Sequence, residues 1–227
     1  MTNARSAILS RVRTSLEREG ETLSRSVQET LEKRLSAPPA TVRPAIPEED
    51  ITRRFVMKLE AVAGRVVHVP KIEEVPQAIL GHLDRHRLPR QLVATRDPIL
   101  ADIPWPKSEP EQITLHYRTA TRTDQVSLTC AFSAIAETGT MVLVSGQQTP
   151  TTLNFLPEDH IVVLPEDRIV PHMEDVWEKI RATFTSPPRT INLITGPSRT
   201  GDIEQTMQLG AHGPRRLTVI LVTHHPS

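Results

Sequence analysis

The sequence predicts an α/β fold: a mainly parallel sheet with helices on both faces, preceded by an N-terminal helical arm. Three observations carry this. Short runs rich in β-branched residues, RVVHV at 65–69, IVVLP at 161–165 and RLTVILVT at 216–223, alternate with helix-like stretches, the pattern of repeated strand–helix units. Before them, Ile8, Leu9, Val12, Leu16, Leu23, Val27, Leu31 and Leu35 recur at three- and four-residue steps, the period of a helix with one apolar stripe. Between the two regions stands APPATVRPAIPEED, whose prolines at 38, 39, 44 and 47 fix φ and remove donors, so it reads as an extended tether.

The domain boundaries follow: a helical arm over 1–36, a proline-rich tether over 37–49, and an α/β domain over 50–227. Gly20 interrupts the arm, which predicts two helices or one kinked helix. The narrow apolar stripe needs a cover, supplied by its own domain, by a second copy in a homo-oligomer, or by a partner.

In the main domain, Asp50 is placed to cap a helix running through Phe55, Val56 and Leu59 to Gly64. After the strand RVVHV comes a helix over 72–87 containing Pro76, then the strand QLVAT at 91–95. Residues 97–112, proline- and acid-rich around Trp105, read as a surface loop. VSLTCAFSAIAETG at 126–139 begins extended and turns helical, and MVLVS at 141–145 is a strand. Then follow the strand IVVLP, a helix over 173–184, the strand INLIT at 191–195, a short helix over 202–210, and the last strand RLTVILVT.

Composition removes several function classes. Lys+Arg and Asp+Glu both total 27, so the chain has no basic excess to attract nucleic acid or an anionic membrane. Aromatic residues make up only 3%, too few for a base-stacking platform. Cys130 is the only cysteine, which rules out an internal disulfide, and an iron–sulfur cluster would ordinarily take about four thiolates. No apolar run approaches the ~20 residues of a membrane span, and the first residues lack a signal-peptide core, so a cytoplasmic chain is expected. His82 and His86 are four apart on one predicted helix face, but their stretch is strongly charged and reads as solvated, so no metal site is predicted. Cys130 reads as a buried, inert thiol.

Two turns are candidate sites. The first is Gly196, Pro197, Ser198, Arg199, Thr200 and Asp202, following the strand INLIT: a sharp turn, hydroxyl and carboxylate oxygens near a predicted helix start, and a guanidinium fork suited to carboxylate or phosphate. Helix capping by Thr200 or Asp202, with Arg199 paired to an acid, accounts for the same residues. The second is Glu137, Thr138, Gly139 and Thr140, where glycine permits a close backbone approach and the threonines supply hydroxyls. Glu137 is either a base or nucleophile in a cleft or a carboxylate that holds the loop. His212, between glycines and near Arg215 and Arg216, joins the candidates for ligand binding. In folds of this class, ligands lie beyond the carboxyl ends of strands.

The blocks AIAETGT at 134–140, HIVVLPEDRIV at 160–170 and ITGPSRTGDIEQTMQLGAHGPRRLTVILV at 194–222, in this order and spacing, resemble the lactate-utilisation protein C family, a branch of the LUD domain. The resemblance implies a fold similar to the CoA-transferase, ribose-5-phosphate isomerase and glucosamine-phosphate deaminase-like group. It implies a cluster-free subunit, with no cofactor of its own, of a system oxidising L-lactate to pyruvate beside iron–sulfur partner proteins. It also implies that the AETGT and GPSRT loops face one cleft that binds a small carboxylate or phosphate. Two other readings stay open: an independent enzyme on a phosphorylated or CoA-linked metabolite with Glu137 at its centre, and a non-enzymatic regulatory module docking through the arm. The residues leave open whether the chain itself catalyses a step.

Overall fold

The computed structural model describes residues 4–16, 24–36, 43–46, 50–108, 112–200, 208–210 and 212–224. The chain divides into two units, 1–43 and 44–227. In the first, α1 (Ala4–Ser15) and α2 (Arg25–Ser36) are separate helices, and α1 buries none of its residues. The predicted break at Gly20, the stripe position Leu23 and most of the proline tether lie outside the described residues.

The second unit opens with α3 (Ile51–Glu60), where the Asp50 carboxylate accepts from the Thr52 amide at 2.9 Å, the cap its position predicts. The strands β1 (Arg65–Lys71), β2 (Gln91–Ala94), β3 (Thr114–His116), β4 (Val126–Cys130), β7 (Asp159–Pro165) and β12 (Arg216–His224) form a six-stranded sheet in the order β1-β12-β7-β4-β2-β3. Every neighbouring pair in it is parallel. The helices α4 (Val75–His86) and α5 (Pro98–Asp102) cover one face, burying Ile79, Leu83, Ile99 and Leu100 against Leu128, Ile161, Val163 and Ile220.

The other face differs from the helix-only cover the sequence predicts. It carries α3 together with a second sheet, β8-β5-β6-β9, made of β5 (Ser133–Ile135), β6 (Thr140–Val144), β8 (Ile169–Val170) and β9 (Ile191–Ile194). Phe55 and Leu59 of α3 pack with Ala134, Met141 and Leu143 against Val162, Leu164, Val219 and Leu221 of the main sheet. The helix α6 (Met173–Thr183) covers the outer face of the second sheet through Val176 and Ile180.

Three local expectations are corrected. SAIAETG is not helical: residues 133–135 are a strand that turns back into β6. Its alanines suit a helix by propensity, but they are buried where Phe55 and Leu59 close in, and that packing decides the conformation. Within the expected loop 97–112, Asp97 caps α5 by accepting from the Ile99 amide at 3.0 Å, and the Trp105 indole N–H donates to the Leu100 carbonyl at 2.9 Å. Finally, Arg199–Thr200 (β10) pairs antiparallel with Gln208–Leu209 (β11), so the turn after β9 leads into a ribbon and 208–209 are not helical. The rest of that predicted helix, residues 202–207, lies outside the described residues.

Candidate functional site

A cavity of about 220 Å³ lies between the two sheets, at the amino ends of β7 and β12. His160 and Leu217, paired at the starts of those strands, form its floor. Leu193 and Ile194 from the end of β9, the turn through Thr195, Gly196 and Ser198, Asn154 and Phe155 ahead of β7, and His212–Pro214 complete it. The cavity is thus beyond the carboxyl end of a strand, but a strand of the second sheet; for the main sheet it is on the amino edge. That position follows from a second sheet standing where a helix was expected.

His160 is 1% exposed. Its Nε2 lies 2.8 Å from the Thr129 hydroxyl, while its Nδ1 is buried with no partner among the described residues. Burial pushes the imidazole down to about 3, so the ring stays neutral at any ordinary pH. Thr129 is also 1% exposed, and the imidazole is its side chain's one partner among the described residues. If its hydroxyl accepted a proton from Nε2, its own buried hydrogen would have nowhere to go. The hydroxyl therefore donates to Nε2, and Nδ1 carries the hydrogen.

Of the residues that the sequence nominates, Gly196, Ser198 and His212 line this cavity. Ser198 is pinned by its backbone: its amide donates to the Pro214 carbonyl at 2.8 Å, and the Gly210 amide donates to its carbonyl at 3.0 Å. Pro197 is buried beside them and Arg199 is exposed; the side chain of Thr200 and all of Asp202 lie outside the described residues.

The AETGT turn reaches the cavity wall through a chain of hydroxyls, Thr138 to Thr140 at 2.7 Å and Thr140 to Thr195 at 2.6 Å. Glu137 does not line the cavity; its carboxylate is 3.1 Å from His172 Nδ1, tying the turn to the start of α6. Gly139 (φ +70) and Gly196 (φ +87) do allow close approaches, but to α3 and its end. A Cβ at 139 would sit 2.5 Å from the Leu59 amide nitrogen, and one at 196 would sit 2.8 Å from the Val62 carbonyl oxygen.

His160, its partner Thr129, and Asn154 are polar residues of the candidate site that the sequence does not single out. One signal was available. Strand periodicity puts His160 on the same face as Val162 and Leu164, a polar residue heading an apolar row.

The opposite face of the same strand end carries a second polar cluster. Asp159, fully buried, accepts from Arg216 Nε at 2.6 Å and again from its Nη2, and pairs with His82 Nε2 at 3.1 Å. His82 Nδ1 is 3.2 Å from the Thr218 hydroxyl. Burial would raise the Asp159 carboxyl, but the hydrogen bonds from His82 and Arg216 outweigh it and hold it below the ordinary carboxylate range. His82 is therefore buried, not on a solvated face, although it shares that face with His86 as its spacing predicts, ring centroids 4.7 Å apart.

Elsewhere, at the carboxyl ends of β2 and β3, Arg96 lies 4.9 Å over the Tyr117 ring beside a hollow of about 410 Å³. Cys130, at the end of β4, has its thiol pushed up by burial. Among the described residues no group of three or more His, Cys, Asp or Glu could hold a metal ion, and no helix is long and apolar enough to cross a membrane.

A parallel sheet backed by a second, mixed sheet, with the turn after β9 closing a cavity between them, defines the class, and comparison with known proteins gives the family. The LUD domain matches residues 52–222, and the chain belongs to that family. Lactate utilization protein C from Exiguobacterium sp. is 30% identical over 225 residues, covering 91% of this chain and 94% of that protein. The protein of the same name from Anoxybacillus flavithermus is 37% identical over 98 residues, 43% of this chain. The chain spans less than half the length of several such relatives in their matched regions, 44% for Anoxybacillus and for Geobacillus thermodenitrificans. A DUF162 family protein from Deinococcus radiodurans has a similar fold, with a TM-score of 0.53 and 24% identity over 76% of this chain and 96% of that one.

Proposed function

We propose that this chain serves lactate utilisation as the cluster-free subunit of a system oxidising L-lactate to pyruvate, binding a small carboxylate while iron–sulfur partner proteins carry the electrons. The observation that carries the reading is the likeness to a lactate utilization protein C along 91% of this chain and 94% of that relative. The cysteine count supports the division of labour: one thiol cannot supply the roughly four ligands of a cluster.

Deletion of the chain from its host tests this. Loss of growth on L-lactate, restored by the full-length chain, is the expected result, together with co-purification of iron–sulfur proteins. Unchanged lactate-dependent electron transfer in the deletion strain would end the reading.

A further inference from the structure

We infer that the cavity between the two sheets is the ligand site, and that it takes a short 2-oxo or 2-hydroxy monocarboxylate whose polar end accepts a hydrogen bond from His160 Nδ1. The inference rests on the reading above and deepens it by naming the site and the ligand class.

The first support is the orphaned donor. A buried imidazole N–H without a partner leaves a desolvation penalty uncompensated, and native structures seldom keep such a group without a use. This one belongs to a residue of the cavity floor. Because burial keeps the ring neutral, Nδ1–H is a donor whatever the pH, and it selects an acceptor such as a carboxylate or keto oxygen. Ser198 and Asn154 place a hydroxyl and an amide on the same cavity.

The second support is size and charge. A volume of about 220 Å³ is below the ~300 Å³ at which drug-sized pockets begin, so the ligand is small. Among the described residues, no Lys or Arg lines the cavity. A doubly charged phosphate would be desolvated there without a counter-charge, whereas a single carboxylate can be met by neutral donors. Leu193, Pro214 and Leu217 offer an apolar wall to a short alkyl end. This choice sets the phosphorylated and CoA-linked alternatives apart from the cavity: neither its charge nor its volume suits them.

The test is titration of the full-length chain, labelled with ¹⁵N-histidine, with pyruvate, L-lactate and inorganic phosphate, followed through the His160 ring nitrogens. The free protein should show the neutral Nδ1–H form, and pyruvate or lactate should shift it saturably while phosphate does not. His160→Phe, which removes the reporting ring and is therefore followed by isothermal titration calorimetry with pyruvate and L-lactate, should weaken binding by about tenfold or more. Leu193→Trp fills the cavity from a side chain that is 41% exposed and so spares the fold; it should abolish the shift. A His160 ring that ignores both acids, or binding that survives in both variants, overturns the inference, as does an equal response to phosphate. The two readings fail separately. If deletion stops growth on lactate but both variants restore it fully, the cavity inference falls and the subunit reading stands. If deletion has no effect, the subunit reading falls, and a specific ring shift still supports the cavity.

Discussion

Asp159 and His160 are consecutive on β7, so their side chains leave opposite faces of the main sheet. Both are essentially buried, at 0% and 1% exposure. On the α4 side, Asp159 engages Arg216 and His82, and His82 uses both ring nitrogens, the second on Thr218. On the second-sheet side, His160 uses one nitrogen on Thr129 and leaves the other unmatched beside a cavity. Equal burial thus gives two results. The saturated cluster fastens α4 to the amino ends of β7 and β12; the half-satisfied ring keeps a donor in reserve. Burial of a polar group is not itself a sign of function, whereas an unsatisfied buried atom on a residue that lines a cavity is one.

The sharpest way to break this comparison is Asp159→Asn. It removes the charge that balances the partly buried Arg216 and should destabilise the protein by about 3–5 kcal/mol in urea unfolding, the range for breaking a buried ion pair. A loss below about 1 kcal/mol would show that the cluster does not secure these strand ends. Its pH dependence has a definite sign. The folded carboxyl is held low, so its contribution is complete above the ordinary carboxylate value of about 3.9 and drains away as pH falls through the lower folded value. Wild-type stability should therefore decline on acidification below about pH 4, and the Asn variant should decline less steeply across that window.

Gly139→Val comes next. Positive φ and the approach of Leu59 both oppose a side chain there, and a loss of about 2 kcal/mol or more in thermal unfolding is expected. A neutral result would mean that the turn and α3 are not in close contact.

His160→Phe supplies the contrast to Asp159. It discards an unmatched donor but strands the buried Thr129 hydroxyl, so stability should fall by about 1–3 kcal/mol, less than for Asp159→Asn, while ligand binding weakens by about tenfold or more. A loss as large as that of Asp159→Asn would make His160 another structural residue.

The smallest effect is expected for Glu137→Gln, whose amide can still meet His172. Stability should move by about 0.5 kcal/mol at most. On the proposed function, lactate-dependent electron transfer should persist if the carboxylate acts only by holding the turn to α6. Turnover abolished with the fold intact would instead give Glu137 a chemical role.

Much of the fold was legible along the chain. β1, β7 and β12 announce themselves by their β-branched runs, and α3 by its cap and apolar spacing. What misled was local preference set against packing: the alanines of 131–136 look helical, yet they lie where α3 presses on the second sheet. Part of the candidate site was legible as well. The GPSRT turn and His212 were nominated, and Gly196, Ser198 and His212 do line the cavity. His160 was not, because what distinguishes it is the company it keeps. Its partner Thr129 is on β4, 31 residues earlier, and its free nitrogen means nothing until the cavity beside it is known.

By itself, then, the sequence determined the alternation of strands and helices, the parallel sheet and the family, because period, capping and motif spacing are properties of neighbouring residues. Only the tertiary structure decided that a second sheet backs the first, that the two turn glycines serve α3, and which buried histidine is satisfied. Those outcomes depend on contacts between residues far apart in the chain and on where close packing leaves a space, and neither is written in any local pattern.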